Sequence, residues 1–379
     1  MTWLSLVALT IFASGAGFGR VVVSVTPSVA PLDVPLKVHA TGLPPRKTVV
    51  VRATGSTRGV RWATAVPARA DAHGVLDLRR FLLGTMRPAT QRTGGSFPGF
   101  AQTVKITVGN RSADAERFTT APSVAIRDER PAATGFHGEW FEPAHASHRP
   151  AILLVGGSAG GLPDPYLAGL LATHGYPVLS LAYFGAPGLP PELTRIPLEY
   201  FERPLRWLRA RPEVDPRRIV AIGISRGAEA ALLLASTYPR LVHDAVEIVG
   251  SGTVGPSQSD PSRPAWTLNG RPLLPGHAID LRPISGSIFA AGAGADALTP
   301  SASEAAAIGR SARAAGRRRD TIVVYTRAGH GLGAVVPNVP TFPTADSRYG
   351  VLHLGGSNAA DEASRERLWP RLLAFLRAA

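Results

Sequence analysis

The chain of 379 residues contains no cysteine. That absence excludes a disulfide framework, a thiolate zinc site and a cysteine nucleophile. It assigns no compartment, because exported proteins can lack disulfides. Acids are scarce beside bases: 27 Asp and Glu against 41 Lys and Arg, a formal net charge of +14 carried almost wholly by arginine. Such a surface can attract polyanions, and an arginine-rich genomic composition produces the same excess. No dense Lys/Arg block is interleaved with aromatics, so nucleic acid is not an expected partner. Arg317-Arg318-Arg319 is one short run at an expected helix end, where cations suit the helix dipole. Also missing are a Gly-Lys-Ser/Thr signature and a Gly-x-Gly-x-x-Gly followed by a ribose-binding acid, which argues against a nucleotide-phosphate loop. No cofactor or metal is expected.

The N-terminus has one apolar run, Trp3 to Ala13, followed by Ser14, Gly15 and Ala16. It is too short for a resident membrane helix, so no stable membrane insertion is expected. Its length suits a signal peptide, although no positive segment precedes it. Residues 1–19 are therefore a candidate signal peptide, and secreted and cytoplasmic locations both stay open. Nothing in the sequence speaks to oligomeric state.

What is present is enough apolar material for a sizeable core, 45% of residues, in a chain long enough for about two domains. From Val21 to about Ser123, short alternating runs recur at Val21–Val25, Leu36–Ala40, Thr48–Ala53, Val75–Leu78 and Thr103–Val108. Turns separate them, as in Gly42-Leu43-Pro44-Pro45 and Asp71-Ala72-His73-Gly74. Strands at this spacing predict an all-β, immunoglobulin-like sandwich over 20–128. Pro122 to Pro131 marks a boundary. From Pro150, strands alternate with helices. Strands are expected at Ala151–Val155, Pro177–Tyr183, Arg218–Ile224, Asp244–Val249, Gly286–Ala291 and Thr321–Thr326. Helices are expected at Leu162–His174, Leu198–Arg211, Arg226–Tyr238, Ser301–Ala315 and Glu362–Arg377. That pattern predicts a mostly parallel α/β sheet with flanking helices over 129–379. Gly250 to Arg282, rich in Pro, Gly and Ser, breaks the alternation. It reads as an insertion over the mouth of a site, with Trp266 and Leu268 supplying apolar lining.

The chemistry centres on Gly223-Ile224-Ser225-Arg226-Gly227, a Gly-x-Ser-x-Gly sequence. In a chain with 40 glycines such a pattern arises by chance. Here an apolar β-branched run enters it and an Ala/Leu-rich run leaves it. Strand, sharp turn and helix expose a serine oxygen, with the Arg226 amide pointing where an oxyanion would form. A serine hydroxyl needs a base to take its proton. His330 follows the strand Thr321–Thr326, and Asp296 follows Gly286–Ala291, giving the chain order Ser225, Asp296, His330. Asp296 would orient the imidazole and stabilise its cation. His277 and His353 are rival loop histidines. Asp280 and Asp320 sit at the opposite sheet edge. The loop Gly156-Gly157-Ser158-Ala159-Gly160-Gly161 supplies the second oxyanion donor, the amide of Gly157 or of Ser158. Glu229 reads as a first-turn acid favourable to the elbow helix dipole.

Several segments together resemble one family. Gly160-Gly161-Leu162, Leu179-Ser180-Leu181-Ala182-Tyr183-Phe184, Leu198-Glu199-Tyr200-Phe201-Glu202, Gly223 to Glu229, Ala328-Gly329-His330 and Gly355-Gly356 ahead of a helix with Trp369 match it in order. The family is that of acyl-CoA thioesterases and bile acid-CoA:amino acid N-acyltransferases. Ala40-Thr41-Gly42-Leu43-Pro44-Pro45 and Ala70-Asp71-Ala72-His73-Gly74 extend the likeness to the N-terminal sandwich. The resemblance implies an α/β-hydrolase fold, a Ser225–Asp296–His330 triad, an acyl-enzyme and a small-molecule acyl thioester substrate. An exported carboxylesterase with the same triad and an acyl-CoA:amino acid N-acyltransferase remain alternatives. The resemblance associates the acyltransferase branch with a cysteine nucleophile, which this chain lacks.

Overall fold

The computed structural model describes residues 20–57, 60–88, 102–347 and 350–379. The candidate signal peptide at 1–19 lies outside them.

From Val22 to Phe118 the described chain is β-structure. Leu36–Thr41 buries Leu36, Val38 and Ala40 and turns Lys37 and His39 outward. That is the two-residue period of a half-buried strand. Val22–Thr26, Leu36–Thr41 and Leu76–Phe81 form a three-stranded sheet. A six-stranded sheet follows the spatial order Val29–Pro31, Arg111–Phe118, Gln102–Val108, Thr48–Thr57, Val60–Arg69, Arg87–Pro88. Buried residues of both sheets, Val38, Ala40, Val51, Ala53, Val104 and Ile106 among them, join one apolar cluster. Val60–Arg69 and Arg111–Phe118 lack a legible apolar alternation, since half of their side chains are exposed and few are fully buried. Pairing recruits them: each lies antiparallel to a neighbour whose own pattern is clear.

The rest of the chain is organised by one eight-stranded sheet. Its strands are β1 Val124–Glu129, β2 His137–Pro143, β3 Arg149–Val155, β4 Val178–Ala182, β5 Val214–Ile224, β6 Asp244–Ile248, β7 Ile288–Ala293 and β8 Thr321–Tyr325. β1 lies within the Pro122–Pro131 stretch where the composition changes. The spatial order is β1-β2-β4-β3-β5-β6-β7-β8. β2 runs antiparallel to both β1 and β4, and the remaining pairs are parallel. Ile152 to Val155 and Val220 to Ile222 are fully buried. Burial on both faces is why these strands read as unbroken apolar runs. This is the α/β-hydrolase arrangement.

Among the described residues, five helices longer than one turn flank the sheet: α1 Pro165–Thr173, α2 Glu202–Arg209, α3 Arg226–Thr237, α4 Ser301–Ala314 and α5 Asn358–Ala378. The helix expected over Leu198–Arg211 is divided, with a 3-10 turn at Leu198–Phe201 preceding α2. Pro204 sits in the first turn of α2, where a missing N–H breaks no helical bond. The last helix begins earlier than expected, at Asn358, because Ser357 caps it: its hydroxyl accepts the Ala360 amide. Among the described residues, no helix is long and apolar enough to cross a membrane.

Strand order also locates the site. β4 lies on one side of β3 and β5 on the other, so the chain reverses its direction across the sheet at β3. Loops leaving strands at such a reversal part from each other and open a crevice at the carboxyl ends. The loop after β3 begins at Gly156, and the loop after β5 holds Ser225.

Candidate active site

Ser225 follows the last residue of β5 and precedes the first of α3. Its backbone stands at φ +56° and ψ −121°, a conformation that costs about 1–3 kcal/mol for a non-glycine residue. The surroundings hold it there. Its amide donates to the Ile248 carbonyl at 2.9 Å, and its carbonyl accepts the Ala228 amide at 3.0 Å. The flanking glycines are steric requirements. A Cβ on Gly223 would lie 1.9 Å from the Gly227 carbonyl oxygen, and one on Gly227 would lie 2.4 Å from that of Gly156. Strand, helix and the loop after β3 therefore touch backbone to backbone.

That contact brings the glycine loop to the serine. A Cβ on Gly157 would sit 3.1 Å from Ser225 Cβ and 3.6 Å from its Oγ. The Arg226 amide opens α3, where no carbonyl stands a turn earlier to receive it. The glycine loop after β3 thus closes on Ser225.

His330 and Asp296 come together from the loops after β8 and β7. The imidazole Nδ1 lies 2.9 Å from Asp296 Oδ2. An ionised carboxylate only accepts, so Nδ1 carries the proton and Nε2 is left as the basic nitrogen. Asp296 is heavily committed. Its Oδ1 accepts the amides of Leu298 and Thr299, each at 3.0 Å, and its Oδ2 accepts the hydroxyls of Ser301 at 2.7 Å and Thr299 at 3.0 Å. Burial pushes the carboxyl up. The His330 hydrogen bond and charge, with the Thr299 amide and Ser301 hydroxyl, outweigh it and hold Asp296 below the usual aspartate value. The residue reading passed over Thr299 and Ser301. Their signal was local: an acid whose oxygen takes the amides two and three residues on, just ahead of a helix.

A cavity of about 380 Å³ opens beside this pair. His330, Gly157 and Ile224 line it together with Leu162, Pro163, Leu167, Val339 and Phe342. Among the described residues, Asp164 is the one carboxylate in its lining, and no Lys or Arg contributes. Among the described residues, no hydrogen bond joins Ser225 to His330. The cavity is where Ser225's neighbours and the imidazole meet.

The rivals fall elsewhere. Asp280 is bound by Arg282 on the surface, and Asp320 holds Arg317 and the Ile288 amide. His277 is exposed and contacts the Leu274 carbonyl, and His353 lies on the exposed strand Gly350–His353.

The insertion extends one expectation and corrects another. Glu229 is the first-turn acid of α3, as expected, and it is also buried, at 1% exposed. Its Oε1 accepts the Gly255 amide and the Trp266 indole N–H, both at 2.7 Å, and Arg226 Nη1 lies 3.0 Å from its Oε2. Burial pushes this carboxyl up to about 7 against the pull of Arg226, the Gly255 amide and Trp266. Trp266 and Leu268 do not line the cavity. Trp266 is fully buried and stacked on Tyr183, and Leu268 packs against the same cluster. The Tyr183 hydroxyl donates to the Gly156 carbonyl at 2.9 Å. Part of the insertion therefore braces the elbow helix and the glycine loop from behind. Its short strand Trp266–Leu268 explains the seating, because it pairs with Ile196–Pro197.

Comparison with known proteins bears on the same region. Residues 196–260 and 271–379 match the family described as BAAT / Acyl-CoA thioester hydrolase C terminal. Mouse acyl-coenzyme A thioesterase 1 is 33% identical over 258 residues, 58% of this chain and 58% of its own length. Mouse acyl-coenzyme A amino acid N-acyltransferase 1 is 27% identical over 258 residues, 57% of this chain and 59% of its own. The chain thus spans under two thirds of the curated relatives it matches. Among solved structures, a dienelactone hydrolase-like promiscuous phosphotriesterase from metagenomic libraries aligns with a TM-score of 0.46 at 19% identity, covering 67% of this chain and 97% of its own.

Proposed function

The chain carries, over residues 196–260 and 271–379, the C-terminal region of the BAAT / acyl-CoA thioester hydrolase family, and from that premise we propose that it is a serine hydrolase of acyl thioesters. The observation that carries this reading is the His330–Asp296 pair at 2.9 Å, facing the cavity that Gly157 and Ile224 share with it. In the proposed reaction Ser225 Oγ attacks the thioester carbonyl while His330 Nε2 takes its proton. Asp296, bound to Nδ1, holds the ring and stabilises the imidazolium. The developing oxyanion takes hydrogen bonds from the Arg226 amide and from that of Gly157 or Ser158. Collapse expels the thiol, protonated by His330, and leaves an acyl-serine. Water, deprotonated by His330, then releases the free acid and restores the serine.

The acyl chain is assigned to the apolar cavity. The all-β region, proposed as an immunoglobulin-like sandwich, frames the α/β-hydrolase unit; the boundary expected at 128/129 moves to before β1, because Val124–Glu129 pairs with β2. Acyl-CoA is the expected donor. An oxygen-ester substrate keeps the same triad. Transfer to an amino acid is the less favoured outcome, because an oxygen-ester acyl-enzyme is less reactive toward amines than the thioester a cysteine would form. Rates on acyl-CoA against p-nitrophenyl esters test the assignment. Fluorophosphonate labelling with peptide mapping tests the nucleophile. Faster turnover of the oxygen esters moves the protein to the carboxylesterases, and failure to label Ser225 removes the serine mechanism.

A further inference from the structure

His330 is gripped on both sides through the backbone of its neighbours. The Gly329 amide donates to Asp361 Oδ1 at 2.7 Å, and the Gly331 carbonyl accepts from Arg365 Nη1 at 2.9 Å. Asp361 and Arg365 stand four apart in α5, hence on one helix face, and both are fully buried. The approach is close enough to exclude side chains: a Cβ on Gly331 would lie 2.3 Å from Asp361 Oδ2.

The same side chains hold a wall of the cavity. Arg365 donates to the Val339 carbonyl at 2.7 Å and to Thr341 Oγ1 at 3.1 Å, and it pairs with Glu362 at 2.8 Å. Glu362 Oε1 in turn accepts the Asn338 amide at 2.7 Å. Asn338 reaches the N-terminal region at two loop positions just past its strands. Its side chain accepts the Leu83 amide at 2.9 Å and donates to the Leu32 carbonyl at 2.8 Å. Trp62 packs on Phe342 with ring centroids 6.0 Å apart. A buried ion pair by itself is weak evidence for anything beyond packing. Together with Asp361, this pair is different in where the bonds end: on the residues immediately before and after the imidazole and, through Asn338, on loops of the N-terminal region.

We propose that Asp361 and Arg365 are positioning residues for His330, and that the N-terminal sheets help hold the base in place through Asn338 and Glu362. The proposal rests on the Ser225–His330 reading for its effect on turnover, but not for its effect on the ring. A displacement of the imidazole by about 1 Å is enough to lower turnover by about a hundredfold.

Two measurements separate the proposals. The first is the proton NMR signal of the His330 Nδ1–H bound to Asp296, followed in wild type, Asp361→Ala, Asp361→Asn and Asn338→Ala. Asp361→Ala frees the Gly329 amide, and its signal should broaden through faster exchange. Asp361→Asn keeps an acceptor for that amide and should restore a wild-type signal. Asn338→Ala cuts the link to the sheets without touching the loop and should broaden the signal partially. The second is turnover of acyl thioester, where Asp361→Ala should lower kcat by about tenfold or more with KM held. A folded Asp361→Ala with an unchanged imidazole signal overturns the positioning role, whatever its activity. If Asp361→Ala does not fold, an unchanged signal in Asn338→Ala overturns it. Wild type that fails to label at Ser225 refutes the hydrolase reading alone, because the imidazole signal is read independently of any reaction.

Discussion

Glu247→Gln isolates a single proton. Glu247 lies in β6 and is fully buried, with Oε1 accepting the Gly250 amide. Burial pushes its carboxyl up from 4.5 to about 8, against the Gly250 amide and with help from the charge of Glu304. The folded-state value is raised, so the acid folds in its protonated form. Its contribution is intact below the unfolded value and is lost as pH climbs toward the folded one. Between pH 6 and pH 8 the unfolded chain has released this proton and the folded chain largely keeps it. Stability should therefore fall by about 1 kcal/mol per pH unit from this group, or about 2 kcal/mol across the interval. Glutamine has the same shape, accepts the same amide and does not titrate. The assay is urea denaturation of wild type and Glu247→Gln at pH 6 and pH 8, comparing midpoints at equal slopes. Other groups titrate in this window, Glu229 among them, but they are common to both proteins and cancel in the comparison. Glu247→Gln should gain on wild type by about 2 kcal/mol between the two pH values. An unchanged difference would falsify the claim that Glu247 is neutral when folded.

Three further outcomes are expected. Asp296→Asn should fold normally and lose about 10⁴-fold in kcat through the wrong imidazole tautomer; near wild-type turnover, with the loss found in Asp280→Asn instead, would show the wrong carboxylate was chosen. Trp266→Phe keeps the ring packing but removes the indole donor from Glu229, which should cost about 1–3 kcal/mol in urea denaturation; no change would mean that bond is not formed in solution. Free acid should dominate the products of wild type even with excess glycine or taurine, while Ser225→Cys should shift the ratio toward amide; mass spectrometry reads both, and mostly N-acyl product from wild type would reverse the assignment.

Local structure was legible in the sequence. The apolar run into Ser225 and the Ala/Leu-rich run out of it specify a strand-turn-helix by periodicity alone, and the elbow's conformation depends on adjacent residues. Asp296 and His330 could be singled out by their places just past apolar strands, because parallel strands in one sheet bring their carboxyl ends to one edge. What depends on distant partners was not legible. Glu229 and Trp266 are 37 positions apart, and only the pairing of Trp266–Leu268 with Ile196–Pro197 seats the indole against the elbow helix. Read locally, that glutamate was a dipole-favouring acid and that tryptophan a pocket wall; burial made them partners. Asn338 and Leu32 are 306 positions apart. A side-chain amide in a loop carries no mark of the distant loop it will meet. The sequence by itself determined which residues turn, pair in order and reach the sheet edge, because those properties are set within a few residues. Tertiary structure decided which polar groups lost water and which carbonyls and amides satisfied them, because burial belongs to the packed whole.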